Sequence, residues 1–365
     1  MTVTVSKAKP RSSEHRKAYR PKLRVYRPTL RDVAALARVD PSVVSRVVND
    51  DPRLSISTDT RARVLAAVEK LGYRPNVIAR GLRLARTWTI GFVLPDLGNP
   101  VYGQIVHGAQ ARAQEGGYAI VLGSPLQGAT IDPAFTRLLN ERRFDGLLVA
   151  SATVEDERLR ELADGSAPVV VVNRRVEGVE GSVVVDDAAG GALATEHLLA
   201  LGHTRVAHLG GPVDVDTSMR RRQGFEAAVA SAGVHEAVVC AGGGYDAGAG
   251  FSAASRLLER HPDVTGIFAA NVMIAIGAIS AARERGLRVP DDVSLVALHD
   301  FPLAGFTEPP LTTVAMPLHE LGAAAAELLL ARIEGRSVES RILTIPPRLI
   351  IRRSTAPPSA KGLVS

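Results

Sequence analysis

The chain of 365 residues contains a single cysteine, Cys240, which excludes an intrachain disulfide and any zinc cluster built from several cysteines. Aromatic residues make up only 4% of the sequence. No apolar run approaches the ~18 residues that a membrane-spanning helix requires, and the polar first residues contain no signal-peptide core. These absences predict a cytoplasmic protein without a metal site.

Positive charge is concentrated near the start of the chain. Residues 1–86 contain 20 Lys and Arg against 7 Asp and Glu, a net charge of +13. The whole chain carries +6, so the remaining residues carry −7 (6 minus 13). This asymmetry indicates a polyanion-binding module joined to a larger body, and the length favours at least two domains. Residues 1–28 lack apolar periodicity and are interpreted as a disordered basic extension.

Three short helices are predicted between residues 29 and 74. Capping residues stand before each of them: Thr29 with Asp32 three residues later, Asp40 before Pro41, and Ser57. Gly72 is expected to end the third helix. The apolar stripe of that helix is expected to comprise Val64, Leu65, Val68 and Leu71. Two short helices with a tight turn, and a third packed across them, are typical of a helix-turn-helix that reads the major groove.

The segment from Thr29 to Asn49 closely resembles the helix-turn-helix of the lactose-repressor (LacI/GalR) family. The resemblance implies the following contacts with operator DNA: base reading by Pro41, Ser42 and Arg46, phosphate contacts near Thr29 and Ser45, and a further contact by Asn49. Arginine suits base reading because it can bond guanine O6 and N7 together. Two departures are Arg38, where the family often has Gly or Asn, and Pro41, whose side chain cannot donate a hydrogen bond. The alternative is a generic three-helix bundle.

The resemblance continues from Tyr73 to Arg83, a segment that forms a hinge helix on operator DNA in that family. It implies that residues 75–86 are a hinge and that Leu82 inserts into the minor groove. An apolar wedge of this kind unstacks a base step while nearby cations offset phosphate repulsion. The hinge residues expected to contact DNA are Asn76, Ala79, Arg80, Leu82 and Arg83. The alternative is that Leu82 packs on the protein core.

From residue 87 onward, apolar strands alternate with amphipathic helices. Eight strands are predicted, at 90–94, 119–122, 146–149, 169–172, 183–185, 206–209, 266–269 and 293–296. This alternation is typical of doubly wound α/β layers, and eight or more strands favour two lobes over one sheet. The resemblance implies a bilobed core, like that of periplasmic binding proteins, with a ligand in the cleft. The predicted fold is therefore an all-α helix-turn-helix domain followed by a core of two doubly wound parallel sheets. The lobes are expected at about 87–187 with 318–340, and at about 188–317 with 341–355.

Ligands of doubly wound sheets bind beyond the carboxyl ends of the strands. Loops at such positions contribute Asp96, Ser124 and Asn173 to the candidate effector site. The resemblance adds two aromatic rings that stack on the ligand and three polar groups that bond it: Tyr102 and Tyr245, then Arg221, Asn271 and Asp300. The alternative for three acidic or amide residues is that they only cap helices: Asp186, Asn271 and Asp300.

Two residues depart from the family pattern in the candidate effector site. Val272 stands where an aspartate usually follows Asn271, and His299 replaces an acid that often holds a sugar hydroxyl. An imidazole offers hydrogen bonds that differ from those of a carboxylate. A sugar is the expectation at the level of the family, and this pocket is open to another ligand.

Three classes of function compete. The preferred one is a homodimeric, sequence-specific transcription regulator, most simply a repressor, that binds pseudo-palindromic operator DNA and a small sugar-like effector. It needs no cofactor and is no enzyme. A solute-binding protein of a transporter shares the bilobed fold but would need a signal peptide and would lack residues 29–83. A nicotinamide-dependent enzyme is suggested only by the glycines of 248–253, which lack the direct strand-to-helix turn of the dinucleotide fingerprint.

Overall fold

The computed structural model describes residues 28–74, 86–124, 133–165 and 168–359. The chain divides between Leu84 and Ala85 into a small N-terminal unit and a large C-terminal unit. Almost all of the expected basic extension and residues 75–85 of the expected hinge lie outside the described residues. Within the described ranges, no helix is long and apolar enough to cross a membrane.

The small unit is built from α1 (Leu30–Ala37), α2 (Pro41–Val48) and α3 (Thr58–Leu71). Thr29 and Asp32 form a reciprocal capping box at the start of α1. The Asp40 carboxylate accepts a hydrogen bond from the backbone N–H of Ser42 at 2.7 Å, which caps α2. Between these helices Arg38 adopts a left-handed φ of 53°, so the chain reverses within a short turn.

The core of the small unit consists of the apolar faces of its three helices. Val33, Val44 and Val64 are fully buried, one from each helix, and alanines and the ring of Tyr73 belong to the cluster around them. The predicted stripe of α3 was wrong at one position, because Leu65 is 51% exposed while Ala67 is buried. Each residue advances a helix by about 100°, so Leu65 points away from the face that carries Val64 and Ala67.

The first sheet of the large unit has six parallel strands. They are β1 (Thr89–Val93), β2 (Ala119–Gly123), β3 (Gly146–Val149), β4 (Val169–Val172), β5 (Ser182–Val184) and β11 (Arg341–Ile342), in the order β11-β5-β4-β3-β1-β2. In the register, Ile90 pairs with Ile120 on one side and with Gly146 on the other. The helices of this lobe are α4 (Val101–Glu115), α5 (Pro133–Asn140), α6 (Glu157–Asp164) and α11 (Leu318–Ile333). The strands β3 and β4 are buried throughout, as expected of a sheet covered on both faces.

The second sheet repeats this plan. Its strands are β6 (Val206–Leu209), β7 (Val238–Cys240), β8 (Gly266–Ala269), β9 (Ser294–Leu298), β10 (Thr312–Ala315) and β12 (Arg348–Ile350), in the order β12-β10-β9-β8-β6-β7. Its helices are α7 (Asp187–Ala200), α8 (Asp216–Ser231), α9 (Ala247–Arg260) and α10 (Val272–Glu284), with a 3₁₀ turn at Pro302–Gly305. Only β12 runs antiparallel to its neighbour among the pairings of the described strands. The predicted doubly wound, two-lobed fold is thus confirmed.

The chain passes between the two sheets three times, after β5, after β10 and after β11. The expected division of the lobes placed residues 341–355 in the second lobe. Arg341 and Ile342 instead pair with Val183 and Val184 of β5, which puts them in the first sheet. Two residues are too short a strand to carry an apolar pattern, so their position follows from the hydrogen bonds of the edge they join.

Three pairs of helices cross at glycines: α4 with α11, α7 with α8, and α9 with α10. Each helix of a pair contributes one glycine, namely Gly108 and Gly322, Gly191 and Gly224, and Gly250 and Gly277. A Cβ at Gly322 would overlap the backbone carbonyl of Ile105, and a Cβ at Gly108 would overlap that of His319. Because a helix backbone cannot rotate out of the way as a side chain can, the crossing distance depends on these glycines.

We expect Gly322→Ala to destabilise the large unit by roughly 1–3 kcal/mol, the usual cost of overpacking, partly offset by the better helix propensity of alanine. The matched control is Gly103→Ala on α4, where an added Cβ meets no atom within 4 Å. Urea unfolding of the full chain followed by circular dichroism measures both variants. Equal stability of the two would contradict the close crossing of α4 and α11.

Candidate functional site

The outward face of α2 carries the side chains that were predicted to read bases. Pro41, Ser42 and Arg46 are exposed, while Val44 and Val47 of the same helix are buried against α1 and α3. Ser45 and Asn49 are half-buried, and the Asn49 amide donates to the Ser45 carbonyl at 2.6 Å. The apolar periodicity of α2 therefore fixes which face is free to meet a partner.

Arg46 is held by an acidic residue just beyond the end of α2. Its Nε lies 3.1 Å from Oδ2 of Asp51, and its Nη2 donates to the carbonyl of Arg53 at 3.2 Å. The Arg46 side chain remains 43% exposed in this pair. A hydrogen bond from the backbone N–H of Arg53 lowers the pKa of Asp51, as do the guanidiniums of Arg46 and Arg53, against the effect of desolvation.

The surface of the small unit is basic. Its exposed cations include Arg31, Arg38, Arg46, Arg53, Arg63 and Lys70. Thr29 is exposed at the start of α1, on the same unit. An exposed helix face with an arginine on a basic unit is chemically suited to bind the sugar-phosphate backbone and base edges of DNA. The predicted hinge contacts Asn76, Ala79, Arg80, Leu82 and Arg83 lie outside the described residues.

In the large unit, a buried carboxylate joins two arginines at the first crossing between the lobes. Asp187 begins α7, is fully buried, and lies 2.7 Å from Nη1 of Arg220 and 2.7 Å from Nε of Arg221. Burial acts to raise the pKa of Asp187, but Arg221 and Arg220 hold it below the usual range. Arg220 also donates to the carbonyl of Asn173 at 3.2 Å, so it ties the second lobe to the end of β4.

Arg221 connects the carboxyl ends of two strands of the second sheet. It donates to the carbonyl of Ala270, after β8, at 2.9 Å, and its Nη2 lies 3.3 Å from Nε2 of His299, after β9. Its guanidinium lies 5.7 Å from the ring centroid of Tyr245, within the range of a cation–π interaction. The predicted effector residues Arg221 and Tyr245 are therefore in one cluster with His299.

Tyr102 brings the first lobe into the same cluster. Its side chain at the start of α4 is only 7% exposed. Burial raises the pKa of the Tyr102 phenol, while the guanidiniums of Arg174 and Arg221 both act to lower it. The electrostatic influence of Arg174 and Arg221 on this phenol comes from one arginine of each lobe. Asn173 precedes Arg174 and is 4% exposed.

The other predicted effector residues have different surroundings. Asn271 caps α10 through its Oδ1 and donates from Nδ2 to the carbonyl of Tyr245 at 3.0 Å. Asp300 accepts from Thr313 at 2.7 Å and pairs with Arg352 at 2.8 Å, and its backbone carbonyl accepts from Gln104 of the first lobe at 2.9 Å. Asp186 and Asn271 thus cap α7 and α10, and Asn271 makes a further bond, whereas the side chain of Asp300 bonds Thr313 of β10 and Arg352.

Asp96 and Ser124 stand apart from the buried cluster. Asp96 is exposed and accepts from the backbone N–H of Gly98 at 2.7 Å, which makes a turn within its own loop. Ser124 is half-buried and donates to the carbonyl of Pro95 at 3.3 Å. Both lie in the loops that follow β1 and β2, as the strand-end rule predicted, but their bonds shown here are to local backbone.

The cluster includes residues that lie in the predicted strand-end loops or the helix after them but were not selected as effector contacts: Arg174, Asp187, Arg220 and His299. The signals were present in the sequence. Three consecutive arginines at 220–222 lie in the helix that follows β6, and two adjacent aspartates at 186–187 follow β5. Pairing between them could not be read from either segment alone, because the two segments meet only in the folded chain.

Comparisons with known proteins agree with this division. Residues 29–76 match the family described as bacterial regulatory proteins, lacI family, and residues 195–355 match a periplasmic binding protein-like domain. The HTH-type transcriptional regulator DegA of Bacillus subtilis (strain 168) is 34% identical over 335 residues, which cover 90% of this chain and 98% of that protein.

Two solved structures are similar over nearly the whole chain. The lac repressor dimer bound to operator and the anti-inducer ONPF has a TM-score of 0.78 at 28% identity, covering 91% of this chain and 100% of that one. The complex of the transcriptional regulator CelR with cellobiose has a TM-score of 0.67 at 33% identity, covering 90% and 100%.

The buried histidines give the large unit a defined response to pH. His208 lies between the rings of Phe225 and Phe268, and burial lowers its pKa to about 4; burial also lowers the pKa of His299 to about 3. In the unfolded chain a histidine titrates near 6.5. The stabilisation from keeping them neutral is therefore complete above pH 6.5 and is lost as the pH falls from 6.5 towards those values.

We expect His208→Leu to reduce the loss of stability between pH 6.5 and pH 5 by up to about 2 kcal/mol, since one such histidine contributes about 1.4 kcal/mol per pH unit. Urea unfolding at a series of pH values measures the slope. His235→Gln, at an exposed position, is the control and should keep the wild-type slope. A His208→Leu variant with the same slope as wild type would show that His208 does not stay neutral in the fold.

Proposed function

The chain belongs to the lacI family of bacterial regulatory proteins. We propose that it represses transcription by binding an operator, and that an effector raises or lowers its affinity for that operator. The small unit binds DNA and the large unit binds the effector and dimerises. A homodimer matches a pseudo-palindromic operator, since each protomer presents one α2 to one half-site. The protein acts in the cytoplasm, where its DNA target lies, and performs no catalysis.

The observation that carries this proposal is the exposed face of α2. It presents Pro41, Ser42 and Arg46 outward from a basic unit whose core is closed by buried valines. A guanidinium at this place can bond two acceptors of guanine at once, whereas the surrounding cations bind phosphates of any sequence. The remaining predicted contacts of the unit are Thr29, Ser45 and Asn49. Thr29 caps α1, Ser45 lies in α2, and Asn49 directly follows α2.

The effector site of the proposal is the cluster between the lobes, with Tyr102, Asn173, Arg221, Tyr245, Asn271 and Asp300 as its predicted residues. Asp96 and Ser124 remain predictions for its rim. An effector that contacts both lobes changes the free energy of their arrangement, and typical couplings between such sites are ~1–3 kcal/mol. A small polar ligand is expected, because the cluster consists of hydrogen-bonding and charged groups around aromatic rings.

We expect Arg46→Ala to weaken binding to the specific operator by ~1–3 kcal/mol and to leave binding to random duplex nearly unchanged, because only base contacts depend on sequence. Fluorescence anisotropy with the two duplexes at one fixed salt concentration measures both affinities. Arg63→Ala is the matched control, since Arg63 is an exposed arginine of α3 paired with Asp59. An equal loss on both duplexes would make Arg46 a phosphate contact.

The proposed hinge is tested at Leu82. If this leucine wedges into the minor groove beside Asn76, Ala79, Arg80 and Arg83, Leu82→Ala lowers operator affinity and DNA bending and leaves the melting temperature of the free protein unchanged. Gel-shift bending assays and melting curves measure the two effects, with Leu84→Ala as the control. A loss of ~2–5 kcal/mol in stability with normal bending would instead assign Leu82 to a packed core.

A further inference from the structure

His299 carries a buried hydrogen-bond donor without an acceptor. A guanidinium can only donate, so the contact from Arg221 requires Nε2 of His299 to be the acceptor. The neutral imidazole then holds its proton on Nδ1. That atom is buried and has no hydrogen-bond partner among the residues that the structure describes. A buried donor in this state favours an acceptor supplied from outside the chain.

Arg174 carries a second donor of this kind, on a charged group. The residue is only 5% exposed, and its Nη1 donates to the carbonyl of Ala152 at 2.7 Å. Its Nε is buried with no partner in the described part of the chain. The described residues show no ion pair of Arg174, whereas Arg220 and Arg221 both pair with Asp187. A buried cation without a carboxylate is costly, which an anion bound beside it would relieve.

The charges of the cluster do not balance. Three buried guanidiniums belong to it, from Arg174, Arg220 and Arg221, whereas the carboxylates paired with them are those of Asp187 and Asp216. His299 is uncharged at neutral pH because burial lowers its pKa to about 3. Among the described residues, the guanidinium of Arg174 is therefore the one of the three without a paired carboxylate. The two positions that depart from the family pattern, Val272 and His299, are the ones that would have supplied further acid.

Asn173 contributes a buried hydrogen-bond acceptor, whereas Arg174 and His299 contribute donors. Its Oδ1 is buried and without a hydrogen-bond partner among the described residues. Asn173 and His299 also share a left-handed backbone, with φ of 66° and 71°, at the carboxyl ends of β4 and β9. Residues other than glycine adopt this conformation rarely, and it is concentrated at binding sites. A hydroxyl of a ligand would satisfy the amide oxygen of Asn173.

From this arrangement we propose that the effector of this protein carries an anionic group, a carboxylate or a phosphate ester, bound by Arg174 and His299, together with a hydroxyl that donates to Asn173. The inference rests on the proposed effector site and narrows its ligand to hydroxylated anions. A neutral sugar would leave Arg174 without a counter-charge. Contacts of Arg220 with the Asn173 carbonyl and of Arg221 with His299 join these groups from the two lobes.

The test uses small hydroxylated anions as probes, because each carries the anionic group and the hydroxyl that the proposed site would bind. Lactate and glycerol 3-phosphate are each titrated into the full-length protein to 50 mM at constant ionic strength, with glycerol as the neutral probe. We expect at least one anion to raise the melting temperature saturably by a few degrees, and glycerol to have no such effect. Lactate alone would identify a carboxylate, and glycerol 3-phosphate alone a phosphate ester.

Variants then locate the effect. Arg174→Gln is expected to abolish the shift, and Arg158→Gln, an exposed arginine of α6, to retain it. His299→Asp tests the charge balance without removing Arg174, because it restores an acid to the cluster and should also abolish the shift. A wild-type protein that no anion stabilises more than glycerol does, or a shift retained in both Arg174→Gln and His299→Asp, would overturn the inference.

Operator binding separates this inference from the proposed function. Specific binding to operator DNA is measured on the same preparations by anisotropy. A protein that binds its operator but is not stabilised by either anion leaves the repressor standing and removes the anionic effector. A protein that is stabilised through Arg174 but binds no operator specifically removes the repressor and keeps the anion site.

Discussion

The buried carboxylate of Asp187 is the interaction on which the arrangement of the two lobes depends. It stands where the chain first crosses from one sheet to the other, and it holds Arg220 and Arg221 side by side at the start of α8. Arg220 reaches back to the end of β4, and Arg221 reaches the ends of β8 and β9. Removing one partner of such a buried pair typically costs 3–5 kcal/mol, because the other charge is left uncompensated. Arg221 is therefore both a candidate ligand contact and a structural residue, and its removal would change both at once.

The same cluster limits how far a bound ligand can change the arrangement of the two lobes. The helix pairs of each lobe pack closely at their glycine crossings, so a ligand is expected to act on the contacts between the lobes more than on those within them. Two hydrogen bonds join the lobes: Gln104 of the first lobe donates to the carbonyl of Asp300, and Arg220 of the second lobe donates to the carbonyl of Asn173. A ligand shifts the lobes only by the difference between the bonds it makes in the two arrangements. The donors at Arg174 and His299 without a partner among the described residues are present before a ligand binds. Bonds from them to a ligand would contribute to the free-energy difference between the two arrangements.

Features that depend on neighbouring residues could be predicted from the sequence, and features that depend on distant pairing could not. The caps at Thr29 and Asp40 were predicted correctly because a cap acts within three residues. Eight strands were predicted from their continuous apolar runs. The strands β7, β10, β11 and β12 were not among the eight: β10 is buried but begins with two threonines, and β11 and β12 are two or three residues long and largely outside the core. The departure at His299 was visible in the sequence, but its tautomer follows only from the contact with Arg221, 78 positions away.

The proposed base contact of Arg46 competes with an ion pair inside the small unit. Arg46 rests against Asp51 in the free protein, with its side chain 43% exposed, and an exposed pair of this kind contributes about 0–1 kcal/mol. A bidentate contact with guanine discriminates against the wrong base by ~1–3 kcal/mol. The proposed contact with guanine requires the pair with Asp51 to open, and the bidentate contact outweighs that small cost on the right sequence. On random duplex the guanidinium keeps its carboxylate partner, so the cost of opening the pair falls on the operator alone.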